Sequence, residues 1–143
     1  MDEKLDLSAL QKAVTSLHSA NQIVQHGEWF NRQEEHIRNT LIAGLIQNFE
    51  FVYEISIKMI KRQLEIDALP ATEIEHSNFK DVLRIAAERG LIENVIAWFE
   101  YRKMRNITSH TYDEDKAKTV CDGIDAFLED ADNLLKKLEQ RNA

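Results

Sequence analysis

The stretch DEDKAKTVCDGIDAFLEDADNLLKKLEQ, residues 113–140, decides the fold. Ala117, Val120, Cys121, Ile124, Phe127, Leu128, Ala131, Leu134, Leu135 and Leu138 recur at helical spacing and line one face. Charged residues fill the opposite face. So broad an apolar stripe must be buried against something. Nothing elsewhere in the chain alternates with the period of two that a strand requires, so the partners are other helices.

Upstream, Leu7, Leu10, Val14, Leu17 and either Asn21 or Ile23 predict a first helix over about 4–25. Gly27 opens a connection in which Trp29 and Phe30 are expected to pack as an anchor. Ile37, Leu41, Leu45, Phe49, Val52, Ile55, Met59 and Ile60 predict a second, unbroken helix over about 33–64. Residues 65–77 hold the sole proline and read as a loop. Asn78 is placed to cap a third, shorter helix, with Asp81 in the reciprocal position and Gly90 just past the end. A fourth helix is expected from about Ile92 to Ser109, and a capping box from Thr111 to Glu114 starts the last. The expected architecture is all-α: an antiparallel up-and-down bundle of four main helices plus one shorter, in a single domain over residues 1–143.

The chain carries a formal charge of −7, which argues against a broad grip on nucleic acid, since neutralising phosphates takes surplus Lys and Arg. Its single cysteine, Cys121, excludes an internal disulfide and suits a reducing compartment. The start, MDEKLDL, lacks a basic segment followed by an apolar one. No apolar run approaches the ~20 residues that cross a bilayer. A cytoplasmic protein with no membrane partner is expected.

Within RNITSHTYDED, residues 105–115, an arginine, an asparagine, a serine, a histidine and a tyrosine precede any acid. From Tyr101 to Tyr112 the only charged side chains, apart from His110, are Arg102, Lys103 and Arg105, a local positive island in an acidic chain. Arginine offers a planar fork to phosphate oxygens, and histidine moves protons near neutral pH. Together they suffice for RNA cleavage without a metal, His110 acting as base or acid and Arg105 holding developing charge. No cofactor is expected. Arg102, Asn106 and Ser109 are the candidate substrate- or nucleotide-binding residues. On the fourth helix Ile92, Val95, Ile96 and Phe99 are expected to form the apolar side, with Lys103, Asn106 and His110 further along it. On an unbroken helix Arg105 and His110 diverge by roughly 140°. They can share a site only if the helix ends between them or if two protomers contribute.

RNITSHTY, late in a small helical bundle, is similar to the R-x(4–6)-H signature of the HEPN superfamily in its R-x4-H-x-Y form. Nearly the whole chain resembles the nucleotidyltransferase substrate-binding family of small bacterial and archaeal proteins. The resemblance implies a homodimer that works with a small, separate nucleotidyltransferase. The leading expectation is a helical substrate-binding or partner subunit that binds nucleotide or substrate and the catalytic protein. The alternative is an RNase toxin that uses Arg105 and His110 and is neutralised when the partner adenylylates Tyr112. Asn106 then takes the polar accessory position. The resemblance leaves open whether the chain is itself an enzyme, and whether its ligand is RNA or a nucleotide such as ATP or AMP.

Other motifs weigh less. Glu73-x-x-His76 has the spacing of half a di-iron site but occurs once, so no metal site is expected. His18, His26 and His36 read as surface or partly buried histidines. Trp98 and Tyr101 fit a dimer seam better than base stacking. Cys121 reads as a small core residue. The glycines are isolated and form no phosphate loop.

Overall fold

The Asp113 carboxylate accepts hydrogen bonds from the backbone N–H groups of Asp115 and Lys116, at 2.9 and 3.3 Å. It thereby satisfies two donors that the first turn of a helix leaves open. The cap is Asp113 rather than Thr111, whose hydroxyl donates instead to the Thr108 carbonyl at 3.0 Å. In this computed structural model, which describes residues 4–67, 74 and 77–143, the chain runs through α1 (Ser8–Gln25), α2 (Glu35–Asp67), α3 (Phe79–Glu88), α4 (Val95–Ile107) and α5 (Glu114–Arg141). Short 3₁₀ turns occupy Phe30–Arg32 and Thr108–His110. There is no strand among the described residues. The expected loop at 65–77 lies largely outside them, as do Glu73 and His76.

The core follows the stripe on α5. Val120, Ile124, Phe127, Leu128, Ala131, Leu134 and Leu138 are buried. They meet Leu10, Val14 and Leu17 of α1 and the run from Leu45 to Leu64 on α2. Phe127 is the hub. Its ring stands edge-on to Phe49 at 4.9 Å, Tyr101 at 5.0 Å and Trp98 at 5.9 Å between centroids. Such T-shaped contacts add to plain area burial. At the far end Asn142 joins three segments: its side chain accepts from the Leu5 N–H at 2.8 Å and donates to Gln63 Oε1 at 2.7 Å.

Polar clips tie α1 to α5. His18 lies 2.9 Å from Asp132, and His26 lies 2.8 Å from Asp125. Buried Asn21 donates to the same Asp125 at 2.7 Å. Those bonds, Asn21 first, hold the Asp125 carboxyl below the usual range. Asn21, not Ile23, therefore continues the buried face of α1; Ile23 is exposed.

Asn78 caps α3 as expected, accepting from the Asp81 N–H at 2.9 Å, but the Asp81 carboxylate turns to Arg84 at 3.4 Å instead of back to Asn78. Gly90 ends the helix with φ +75°, and the following Leu91 N–H bonds the Ala86 carbonyl at 2.8 Å. That backbone conformation crowds any Cβ. Gly90→Ala is expected to cost about 1–2 kcal/mol, visible as a fall of several degrees in Tm. An unchanged Tm would show that the turn relaxes freely.

The buried face of α4 differs from the expected one. Trp98, Tyr101 and Met104 are buried, followed by Thr108. Of the expected side, Ile92 is buried just before the helix, Val95 and Phe99 are partly buried against the core, and Ile96 is 68% exposed. Lys103, Asn106 and His110 are exposed, as expected of a sector that turns polar and opens outward because burying such groups unpaired is costly. The large aromatics win the core because they bury more apolar area than the Ile96 side of the helix. Trp98 and Tyr101 are accordingly neither a dimer seam nor a stacking platform. The Tyr101 hydroxyl donates to the Asp130 carboxylate. Of the expected anchor, Trp29 is 51% exposed and Phe30 is partly buried.

Candidate functional site at the end of α4

The α-helical phase of α4 stops at Ile107, and the next three residues form a 3₁₀ turn. Arg105 therefore lies on the helix and His110 on the turn. The turn winds at about three residues per turn, so the two side chains still diverge by roughly 160° and the turn alone does not bring them together. Thr108 makes this junction. Its hydroxyl donates to the Arg105 carbonyl at 2.8 Å and accepts from Arg105 Nη1 at 3.2 Å. Thr108 is buried, at the end of the stripe begun by Trp98.

The Arg105 guanidinium is held from the other side by Glu54 of α2. Glu54 Oε1 accepts from Nε at 2.8 Å and from Nη2 at 2.6 Å. That bond, helped by the charges of Glu54 and Glu50, raises the guanidinium further above its usual range. Of the five N–H groups of an arginine fork, these contacts use three. The remaining two, one on each Nη, make no hydrogen bond among the described residues and could serve an anion. Buried Tyr53 of α2 lies close enough to feel both Arg102 and Arg105. Burial nevertheless pushes its phenol up to about 12, so it stays protonated.

The positive island of the sequence is largely occupied within the fold. The Arg102 guanidinium stacks over the Phe79 ring at 3.9 Å. Lys103 pairs with Glu100 at 3.0 Å, and Arg105 pairs with Glu54. Asn106 and Ser109 are exposed on the outer side of the junction. His110 is exposed as well, its ring edge-on to Tyr112 with centroids 6.1 Å apart. Tyr112 is 84% exposed. The chain thus gathers two contact sets, Arg105 with Glu54 and Thr108, and His110 with Tyr112. Four residues of backbone separate Arg105 from His110.

Glu54 orients the fork that it neutralises, so its two properties separate by substitution. If Arg105 works on a phosphate, Glu54→Gln keeps an accepting oxygen and should hold cleavage within a few-fold. Glu54→Ala frees the fork and should lower it roughly tenfold, the scale of one hydrogen bond to a charged group. Equal rates for both variants and the parent would remove Glu54 from the site.

Residues 5–140 match the family described as nucleotidyltransferase substrate binding protein like. A relative in Haemophilus influenzae, named "Probable ribonuclease HepT", is 49% identical over 142 residues, covering 99% of this chain and 97% of the relative. A solved structure from Haemophilus influenzae superposes with a TM-score of 0.91 at 47% identity, covering 94% of this chain and all of that one. It is described as revealing the fold of a substrate-binding domain of a nucleotidyltransferase.

Proposed function

The chain belongs to the family of proteins like the nucleotidyltransferase substrate-binding protein, and from that premise we propose that it cleaves RNA at Arg105 and His110 under the control of a separate nucleotidyltransferase. The observation that carries this reading is the Arg105 guanidinium, fixed by Thr108 and Glu54. An exposed His110 stands on the turn that ends the same helix, and a second protomer completes the pair. The name of the Haemophilus influenzae relative supports it.

In the proposed reaction the ribose 2′-oxygen attacks the adjacent phosphorus and its proton passes to a neutral His110. The free N–H groups of Arg105 hold the charge building on the phosphoryl oxygens. The bond from phosphorus to the 5′-oxygen then breaks, and that oxygen takes a proton from an imidazolium. The products are a 2′,3′-cyclic phosphate and a 5′-hydroxyl. A homodimer supplies one His110 as base and the other as acid.

Control acts at Tyr112. Its phenolic oxygen attacks the α-phosphorus of ATP in the partner's active site, pyrophosphate leaves, and the phenol proton goes to solvent. The exposure of Tyr112 beside His110 supports that role. Co-expression with a small nucleotidyltransferase of the kind that the family name implies should yield a complex and add one adenylyl mass to the chain. Tyr112→Phe should abolish the addition. An adduct that persists in Tyr112→Phe would move the modification elsewhere.

A second reading, a non-catalytic subunit that presents a small substrate to the nucleotidyltransferase, is favoured by one feature. The cleft beside Tyr112 has a volume of about 620 Å³, within the range of small-molecule sites. Purified chain that binds the partner yet leaves every RNA intact would select this reading.

A further inference from the structure

The cleft lies between the C-terminal end of α1, the first half of α2 and the start of α5. We infer that it is a nucleoside-docking site, which receives the uncharged ribose and base of the adenylyl group on Tyr112 while the phosphate stays outside. This rests on the reading of Tyr112 given above and adds where the modifying group goes.

Three features select that ligand. The first is size: a volume of about 620 Å³ accommodates a nucleoside with room to spare. The second is lining. Phe30, Ile42 and Ile46 give an apolar wall suited to a planar ring, and the Asn39 amide offers both a donor and an acceptor to a base edge. The third is charge. Lys118, a cation of the lining, is bonded to Asp122 at 2.8 Å, and Glu114 adds a further carboxylate. The exposed rim is therefore net acidic and disfavours phosphate. The cleft should take adenosine and refuse ATP.

Tyr112 itself lines the cleft and is 84% exposed. Its hydroxyl is accessible to a modifying enzyme, and a group attached there is already at the mouth. Such a tether gives an effective concentration in the millimolar range, so weak intrinsic affinity is enough. Docking would pin the segment from Thr108 to Tyr112, which carries His110. Silencing then needs no contact with Arg105.

Cys121 is the sole cysteine and lines the cleft, half-buried. Its alkylation by an uncharged maleimide reports occupancy directly. Adenylylated full-length chain should label about tenfold more slowly than unmodified chain, the effect of a tethered ligand at millimolar effective concentration. Free adenosine should slow labelling of the unmodified chain, and ATP should not. Ala43→Phe, which adds a ring at a lining residue of α2, should still accept the adenylyl group by mass but show no protection beyond that of its unmodified form.

Unchanged labelling with both adenosine and adenylylation overturns the inference. So does protection by adenylylation that persists in Ala43→Phe, or a labelling rate that falls with protein concentration, which would put a second copy in the cleft. If the partner leaves Tyr112 unmodified, the regulatory reading fails. The adenosine arm then decides the cleft alone.

Discussion

Replacing His110 with alanine is expected to lower RNA cleavage by about 10²- to 10⁴-fold, the range that a positioned general acid or base contributes. His110 is exposed and sits on a turn, so its removal opens no cavity. Thermal stability should stay within about 0.5 kcal/mol of the parent. Arg105→Ala should show a loss of similar size. It breaks the contacts to Glu54 and Thr108, but that ion pair is part-exposed, with side chains 32% and 52% accessible. Its net stabilisation is below about 1 kcal/mol. Arg105→Lys separates charge from geometry. A lysine keeps the cation but cannot span Glu54, Thr108 and a phosphate at once, so activity should remain well below the parent. Rates for Arg105→Lys near the parent would reduce Arg105 to a generic positive charge. Activity in His110→Ala matching the parent would remove the histidine from the reaction.

The largest effect on stability is expected at Phe127. Its ring makes edge contacts with Phe49, Trp98 and Tyr101, so three helices meet on one side chain. Phe127→Ala removes those contacts and leaves a cavity enclosed by rigid rings that collapse poorly. The cost should be about 3–5 kcal/mol, a large part of the roughly 5–15 kcal/mol available to a domain of this kind. Chemical denaturation should show the midpoint falling with little change in slope. Phe127→Leu keeps most of the volume and should cost clearly less. A loss below about 1 kcal/mol in the alanine variant would mean that the aromatic cluster is not the centre of the core.

Much of the fold was legible because its signals are local. The stripe on α5, the Asn78 cap and Gly90 each act over a few residues, and each is found where the spacing puts it. The face of α4 was not legible in the same way. That helix carries apolar side chains on more than one side, and the choice between Ile96 and the pair Trp98–Tyr101 is made by Phe127, far along the chain. Thr111 likewise lost the capping position to Asp113, whose charged oxygen is the stronger acceptor at a helix N-terminus.

The candidate site divides along the same line. Arg105, His110 and Tyr112 stand out in the sequence because they lie within eight residues. Glu54 does not, since it reaches Arg105 across 51 residues and nothing near it marks the contact. Thr108 is the missed residue that could have been found. It falls at helical spacing after Trp98, Tyr101 and Met104 and stands inside the motif itself. The positive island was overdrawn for a readable reason: Glu100 lies just before the cation run, three residues from Lys103, and pairs with it.

The central claim is that this chain itself cleaves RNA, by attack of a 2′-hydroxyl at Arg105 and His110. It is tested most directly by incubating the purified, unmodified protein with end-labelled RNA in excess EDTA and identifying the new termini. The account predicts fragments ending in 2′,3′-cyclic phosphate with 5′-hydroxyl partners, absent with His110→Ala. Intact RNA with the parent protein, or the same fragments from both, would contradict it.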